Sequence, residues 1–176
     1  MEMQKILIKI DTAIKMFIEN EFEILQRSLN ELYINNRYAD YLKPHLKNFD
    51  VDIEYNGDID KPNDRKALLK AQNEMQQSGL KTNNSNYYKI NPDIIIHKIG
   101  SNKKNLVVFE VKKDSNSKKR KLFDIIKLKH LTTNYDGNLY NYMLGIALIF
   151  GTKENAGQYE VKFFHCGKEI PKEEID

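Results

Sequence analysis

The stretch that decides the fold runs from residue 92 to residue 112 and reads PDIIIHKIGSNKKNLVVFEVK. Two apolar runs, at 93–97 and 106–112, flank a short polar segment at 100–104. Runs rich in β-branched residues that are separated by a polar turn predict a β-hairpin. Because both runs are almost continuously apolar, we expect both faces of the sheet that contains them to be covered.

Two charged residues interrupt the second run. Side chains alternate along a strand, so Glu110 and Lys112 share one face, while Val107, Phe109 and Val111 share the other. Burying an ionised side chain costs several kcal/mol unless it is paired or bound to a metal. The two residues therefore indicate either a functional site or a simple ion pair near the end of the strand.

Asp93, which follows Pro92, begins the first run and is separated from Glu110 by sixteen residues. Pairing of the two strands would bring these carboxylates together. Two carboxylates a few ångström apart repel each other unless a divalent cation lies between them, and hard oxygen ligands favour Mg²⁺ or Mn²⁺. The neighbouring Lys112 would then hold or deprotonate an attacking water.

Hydrophobic periodicity outside the hairpin predicts the other elements, since steps of three and four residues favour helices and alternation favours strands. We expect helices over residues 3–33 with a break near Asn20, over residues 63–78 with a stop at Gly79, and over Lys118–Leu131. We expect strands over residues 51–56, Leu144–Phe150 and 159–164, and a loose tail after Gly167. This order predicts a mixed α/β sheet with helices packed on it.

Pro92-Asp93, followed after sixteen residues by Glu110-Val111-Lys112, resembles the motif of the PD-(D/E)xK nuclease superfamily of restriction-like phosphodiesterases. The element order is also similar. The resemblance implies a restriction endonuclease-like mixed β-sheet flanked by helices, with an αβββαβ core. It implies a single nuclease-like domain over residues 1–176, with an N-terminal helical extension at 1–18 and a helical insert at 61–88.

The resemblance also implies an activity. Members of this superfamily hydrolyse phosphodiester bonds with a divalent cation, so the chain is expected to be a DNA endonuclease with a defence or repair role. Asp93 and Glu110 would be the ligands of Mg²⁺, for which Mn²⁺ would substitute. Lys112 would hold or deprotonate the attacking water.

Many members add an acidic residue from the first helix, for which the candidates are Glu21, Glu23 and Glu31. On a continuous helix with about 100° per residue, Glu21 flanks the apolar stripe, whereas the other two point away. We therefore expect Glu21 to be a metal ligand, although an acid there would equally complement the helix dipole. Glu54, on the polar face of the strand at 51–56, is a further candidate catalytic residue, and a solvated edge would explain it equally well.

The basic residues are unevenly distributed. Residues 98–129 carry eleven Lys or Arg and three acidic residues, a net charge of +8, whereas the whole chain carries +3. A basic block suits a polyanion such as DNA, because each phosphate contact releases condensed counterions, and a solvated face is the alternative. The residues that we expect to contact nucleic acid are His97, Lys118, Lys119, Arg120, Lys121 and Lys127.

Composition sets the outer limits of these expectations. A single cysteine, Cys166, excludes an internal disulfide and a cysteine-based zinc cluster, and no apolar run approaches the roughly 20 residues of a membrane span. We expect a cytoplasmic protein with no membrane contact, targeted by the segment at 61–88, by homodimerisation or by a partner protein. The alternative to an enzyme is a catalytically inactive nuclease-fold subunit for nucleic-acid binding or complex assembly.

Overall fold

The predicted hairpin lies inside a larger sheet. The computed structural model describes residues 3–55, 67–68, 71–81, 88–89, 91–101, 104–135 and 140–175. Along the chain its elements are α1 (Met3–Asn20), α2 (Phe22–Gln26), α3 (Glu31–Leu42), β1 (Asp50–Ile53), β2 (Ala67–Leu68), α4 (Ala71–Gln77), β3 (Tyr88–Lys89), β4 (Ile94–His97), β5 (Val107–Lys113), α5 (Lys118–Leu131), β6 (Leu144–Phe150), β7 (Tyr159–His165) and β8 (Lys168–Ile170).

Six of the strands form one open mixed sheet in the order β1-β4-β5-β6-β7-β8. β5 and β6 are parallel, and every other neighbouring pair in this sheet is antiparallel. β2 and β3 form a separate two-stranded antiparallel ribbon. The prediction of a mixed α/β sheet, with a hairpin at residues 93–112, is therefore confirmed.

Both faces of the sheet are covered, as the continuous apolar runs predict. On one face Val107, Phe109 and Val111 pack into a core that includes α1 and α3. On the other face Ile95 and Val108 pack into a second cluster with residues of α4 and α5. The N-terminal helix α1 therefore contributes to the core of the domain, with six of its residues buried.

The parallel pair β5 and β6 positions the residues of interest. Parallel neighbours need a crossover connection, and here the crossover contains α5, which packs against both strands. Ser117 begins α5 as an N-cap whose side chain accepts a hydrogen bond from the Arg120 backbone N–H. The helix consequently crosses the sheet face that carries Glu110 and Lys112.

The prediction that the second helix continues to Tyr33 is wrong. α2 ends at Gln26, Ser28 adopts a left-handed conformation with φ of 52°, and a new helix, α3, begins at Glu31. Asn30 is the physical reason, because its side chain accepts a hydrogen bond from the Tyr33 N–H at 2.8 Å and caps the new helix. The phase of the apolar stripe is therefore reset between α1 and α3.

Two further expectations need correction. The helix expected over residues 63–78 is present only as α4, and β2 lies within its predicted range; residues 56–66, 69–70 and 82–87 lie outside the described part of the chain. The tail after Gly167 is not loose, because β8 pairs with β7. Cys166 and Gly167 form the two-residue loop between β7 and β8, and both have positive φ, as tight two-residue hairpin turns require.

No helix within the described ranges combines the length and the apolar character needed to cross a bilayer.

We predict that the Tyr38 hydroxyl is dispensable for stability. The Tyr38 ring packs between Phe17, Phe109 and Phe150 at centroid distances of 5.7 to 5.9 Å, but its buried hydroxyl has no hydrogen-bond partner among the described residues. Tyr38→Phe should leave the free energy of unfolding in urea unchanged or raise it by up to about 2 kcal/mol. Tyr38→Ala should lower it by about 3–5 kcal/mol. A large loss in Tyr38→Phe would contradict this account.

Candidate active site

Asp93 is fixed at the start of the hairpin by the neighbouring strand. The register that pairs Ile94 with Phe109 places Asp93 across from Glu110. The Asp93 Oδ2 atom accepts hydrogen bonds from the Val111 backbone N–H at 2.7 Å and from the Lys112 Nζ at 3.1 Å. Asp93, Glu110 and Lys112 are thus brought together on the sheet face that α5 covers.

Glu110 is the most deeply buried of these residues, and its side chain has no solvent-exposed area. Its Oε2 atom accepts a hydrogen bond from the Lys127 Nζ at 2.6 Å, whereas its Oε1 atom has no hydrogen-bond partner among the described residues. Burial raises the pKa of the Glu110 carboxyl well above its usual range, and the charges of Asp93 and Asp124 raise it further against the opposing effect of Lys127. The ionised carboxylate is therefore short of positive charge.

Lys112 lies at the centre of a ring of carboxylates. Its Nζ atom is 3.1 Å from Asp93, 3.2 Å from Glu31 and 3.4 Å from Asp124. Burial disfavours the ammonium, but the surrounding carboxylates outweigh burial and raise the pKa of Lys112 above its usual value. The side chain is consequently a protonated hydrogen-bond donor at neutral pH.

α5 adds two residues that complete this cluster. Asp124 and Lys127 lie one turn apart, with the Lys127 Nζ 3.0 Å from the Asp124 carboxylate, and both side chains are more than nine-tenths buried. Lys127 therefore pairs at once with Asp124 and with Glu110. The pKa of Lys127 is raised because the neighbouring carboxylates outweigh its burial.

We call this group the carboxylate cluster, and its charges do not balance. It contains four carboxylates and two ammonium groups, a net charge of −2 when all are ionised; its members are Glu31, Asp93, Glu110, Asp124, Lys112 and Lys127.

With all six groups ionised, the charge of −2 and a Glu110 oxygen that has no hydrogen-bond partner in the described part of the chain are compatible with one divalent cation such as Mg²⁺ or Mn²⁺. In the ranges that the structure describes, no group of three or more His, Cys, Asp or Glu side chains is arranged as a metal shell. The two ammonium groups lie between the carboxylates instead.

The acidic residue that joins the cluster from the N-terminal helices is Glu31. Glu31 contacts Lys112 and accepts a hydrogen bond from the Asn116 side chain at 2.8 Å. Glu21, the residue expected from the helical phase, instead forms an ion pair with Arg37 and accepts a hydrogen bond from the Tyr41 hydroxyl at 3.1 Å. The break before α3 explains the difference, because Glu31 begins a helix whose phase is independent of the preceding stripe.

Glu54 approaches Asp93 through its backbone. β1 ends at Ile53, and Glu54 follows with φ of 51°, a left-handed conformation that turns the chain. Its N–H donates a hydrogen bond to the Asp93 carbonyl at 3.1 Å, and its side chain is exposed. The Glu54 backbone therefore lies beside Asp93.

The residues expected to contact nucleic acid fall into two groups. Lys118, Lys119 and Arg120 are exposed in the first turn of α5, and Lys121 donates a hydrogen bond to the Asp114 carbonyl. The other two, His97 and Lys127, are buried.

His97 and Lys127 have internal partners. The His97 Nε2 atom is 2.8 Å from Asp52, and the His97 ring packs against Tyr55. Lys127 belongs to the carboxylate cluster rather than to the surface.

The sequence analysis did not identify Asp124 as a site residue. It considered Glu31 but favoured Glu21 on the basis of helical phase. The available signal for Asp124 was its position one turn before Lys127, on a helix in which Ile126 and Leu128 are apolar. Two opposite charges on the same face of a core helix require partners in the domain interior.

Comparison with models of protein families, with curated proteins and with solved structures finds no match to this chain.

We predict that Lys127→Met destabilises the protein in a pH-dependent manner. The change leaves the buried Glu110 charge without its closest counter-ion, a loss that typically costs about 3–5 kcal/mol. A carboxyl whose folded-state pKa is raised contributes most to stability below its unfolded pKa and loses that contribution as the pH rises toward the folded pKa. The deficit relative to wild type should therefore be small near pH 4 and large near pH 7.

Urea unfolding at both pH values measures this deficit. The double variant Glu110→Gln, Lys127→Met is the control. It removes the unpaired Glu110 charge and should recover the part of the stability at pH 7 that this charge costs, whereas Asp124 still lacks its Lys127 partner. An equal deficit at the two pH values would show that the contribution of Lys127 does not come from neutralising Glu110.

Proposed function

We propose that this protein is a metal-dependent nuclease that hydrolyses DNA phosphodiester bonds with a restriction endonuclease-like, PD-(D/E)xK-type active site. The observation that carries the proposal is the convergence of Asp93, Glu110 and Lys112 on one sheet face, beside a buried Glu110 oxygen for which the described residues supply no hydrogen-bond partner. The element order α3, β1, β4, β5, α5, β6 supports the same assignment, since it follows the αβββαβ order.

Asp93 and Glu110 are the residues that would hold the cation, with Glu31 and Asp124 as the nearest additional carboxylates. When bound there, Mg²⁺ would neutralise charge at the scissile phosphate and acidify a water molecule. When its carboxylates are ionised, the net negative charge of the cluster favours a bound divalent cation at this position.

Lys112 acts as a donor in this proposal. Its ammonium is held by Asp93, Glu31 and Asp124, and its raised pKa keeps the proton in place at neutral pH. Lys112 would therefore orient the attacking water or stabilise negative charge on the phosphate. A fixed donor of this kind is worth about 10²–10³ in rate.

The surface next to the cluster has the charge that DNA requires. Lys118, Lys119 and Arg120 project from the first turn of α5, which follows the motif strand directly. Each of these side chains that contacts a phosphate would release counterions from the DNA. The affinity for DNA should therefore fall as the salt concentration rises.

We predict that Mg²⁺ or Mn²⁺ raises the melting temperature of the protein. A cation that binds only the folded state adds about 2.7 kcal/mol at a concentration of 100 times its Kd. Glu110→Gln and Asp93→Asn should abolish the increase. Glu169→Gln, which changes a surface carboxylate that pairs with Lys162, is the matched control and should keep it. The same increase in all variants would place the bound cation elsewhere.

We predict that Lys112→Ala lowers the rate of DNA cleavage by about 10²–10³-fold while leaving the affinity for DNA nearly unchanged. Lys168→Ala removes one exposed positive charge at the far edge of the sheet and is the control, for which cleavage should be retained. Supercoiled, linear and single-stranded DNA should be assayed, together with RNA, with Mg²⁺, Mn²⁺ and EDTA. Tight DNA binding without cleavage under every condition would favour an inactive nuclease-fold subunit.

We predict that Glu31→Gln lowers cleavage by about 10- to 100-fold, because Glu31 holds the Lys112 ammonium. Glu21→Gln is the matched variant in the same region, and it should lower the urea midpoint through its lost Arg37 contact without lowering the cleavage rate. If Glu21→Gln abolished cleavage in a folded protein and Glu31→Gln did not, Glu21 would be the functional acid.

A further inference from the structure

A cleft of about 370 Å³ opens directly beside the carboxylate cluster, between the end of α4 and the first half of α5. Lys112 and Asp124 form part of its lining, so the cleft is continuous with the candidate active site. Its volume is at the lower end of the roughly 300–1,000 Å³ typical of small-ligand sites. The space therefore suits one group about the size of a nucleotide.

The lining of the cleft combines two kinds of side chain. Phe123 and Leu80 form the apolar part of the lining; Leu80 is buried in the second cluster, and Phe123 is half-buried with its ring 5.4 Å from the Lys127 Nζ. Lys81, Lys119 and Arg120 are exposed and supply positive charge. A flat aromatic surface next to several cations is the combination that binds a nucleobase together with its phosphate.

We propose that this cleft is a nucleotide subsite that receives one unpaired base, and that the protein acts on DNA with a single-stranded segment next to the cut. This inference rests on the proposed nuclease function and adds the substrate class. The base packs against Leu80 and Phe123, and the phosphate beside it contacts Lys119 and Arg120. In this arrangement the next phosphate along the strand lies near Lys112.

Base pairing decides the substrate class. In a duplex each base is stacked between its neighbours and paired with the other strand, so its face cannot reach an aromatic side chain inside a cleft. A single strand, a frayed end or an overhang presents that face without the cost of unpairing. The segment at Gly79–Lys81, which follows α4, supplies one wall of the cleft and therefore contributes to substrate choice.

The test compares the affinities of the protein for a fluorescent oligothymidine and for a duplex of equal length, measured by anisotropy in EDTA so that cleavage plays no part. Wild type should bind the single strand more tightly than the duplex. Phe123→Ala should weaken single-strand binding by about 5- to 150-fold, the range for loss of one base stack, with a much smaller effect on the duplex. Phe123→Tyr should restore the preference.

Three further variants complete the comparison. Leu122→Ala alters the neighbouring exposed side chain, which is not part of the cleft lining, and should leave the preference unchanged. Arg120→Ala, an exposed position where misfolding is not expected, should lower single-strand affinity more than duplex affinity. Lys118→Ala lies outside the lining and should lower both affinities by a similar factor.

The outcomes separate this inference from the nuclease proposal. If folded Phe123→Ala and Arg120→Ala keep the wild-type ratio of single-strand to duplex affinity, the subsite is overturned, whatever the protein cleaves. If the ratio depends on Phe123 but no DNA is cut with Mg²⁺ or Mn²⁺, the nuclease proposal fails and the subsite stands as a single-strand binding site. Equal wild-type affinity for both DNA forms also overturns the subsite.

Discussion

The ion pair between Glu110 and Lys127 is the contact on which the arrangement around it depends. A central strand must be covered on both faces, and α5 covers the face that carries Glu110. An apolar helix there would leave a buried carboxylate without compensation, which costs several kcal/mol. Because Lys127 lies on the inner side of α5, the element that closes the core also neutralises part of the charge of the site. The same helix therefore covers the core and supplies the counter-ion of the proposed active site.

The sequence was most informative where apolar pattern and turn residues act locally. The hairpin, α5 over Lys118–Leu131 and β6 over Leu144–Phe150 were all predicted, because each has a clear period and clear ends. The convergence of Asp93, Glu110 and Lys112 followed from alternation and strand pairing. The choice between Glu21 and Glu31 did not follow, because helical phase is transferable only along an unbroken helix, and Ser28 and Asn30 interrupt it. The partners of Glu110 could not be predicted from the sequence, because they depend on the three-dimensional position of α5.

The cluster joins the two layers that cover the sheet. Glu31 belongs to α3, which packs on one face, and Asp124 belongs to α5, which packs on the other. Lys112 contacts both carboxylates near the end of β5. A small movement of either helix would change the surroundings of the same ammonium, so the geometry of the site depends on how both helices pack.

The separation of these residues along the chain has a consequence for folding. Lys127 is 17 residues from Glu110, and Lys112 is 19 residues from Asp93, whereas the contact between Asn116 and Glu31 spans 85 residues. Loop closure over 85 residues costs about 1.4 kcal/mol more in chain entropy than closure over 17. The hairpin and α5 can therefore bring their charges together as a local unit. The contact of Lys112 with Glu31 closes a longer loop than its contact with Asp93 does, so we expect the α3 segment to add the third carboxylate after this local unit has formed.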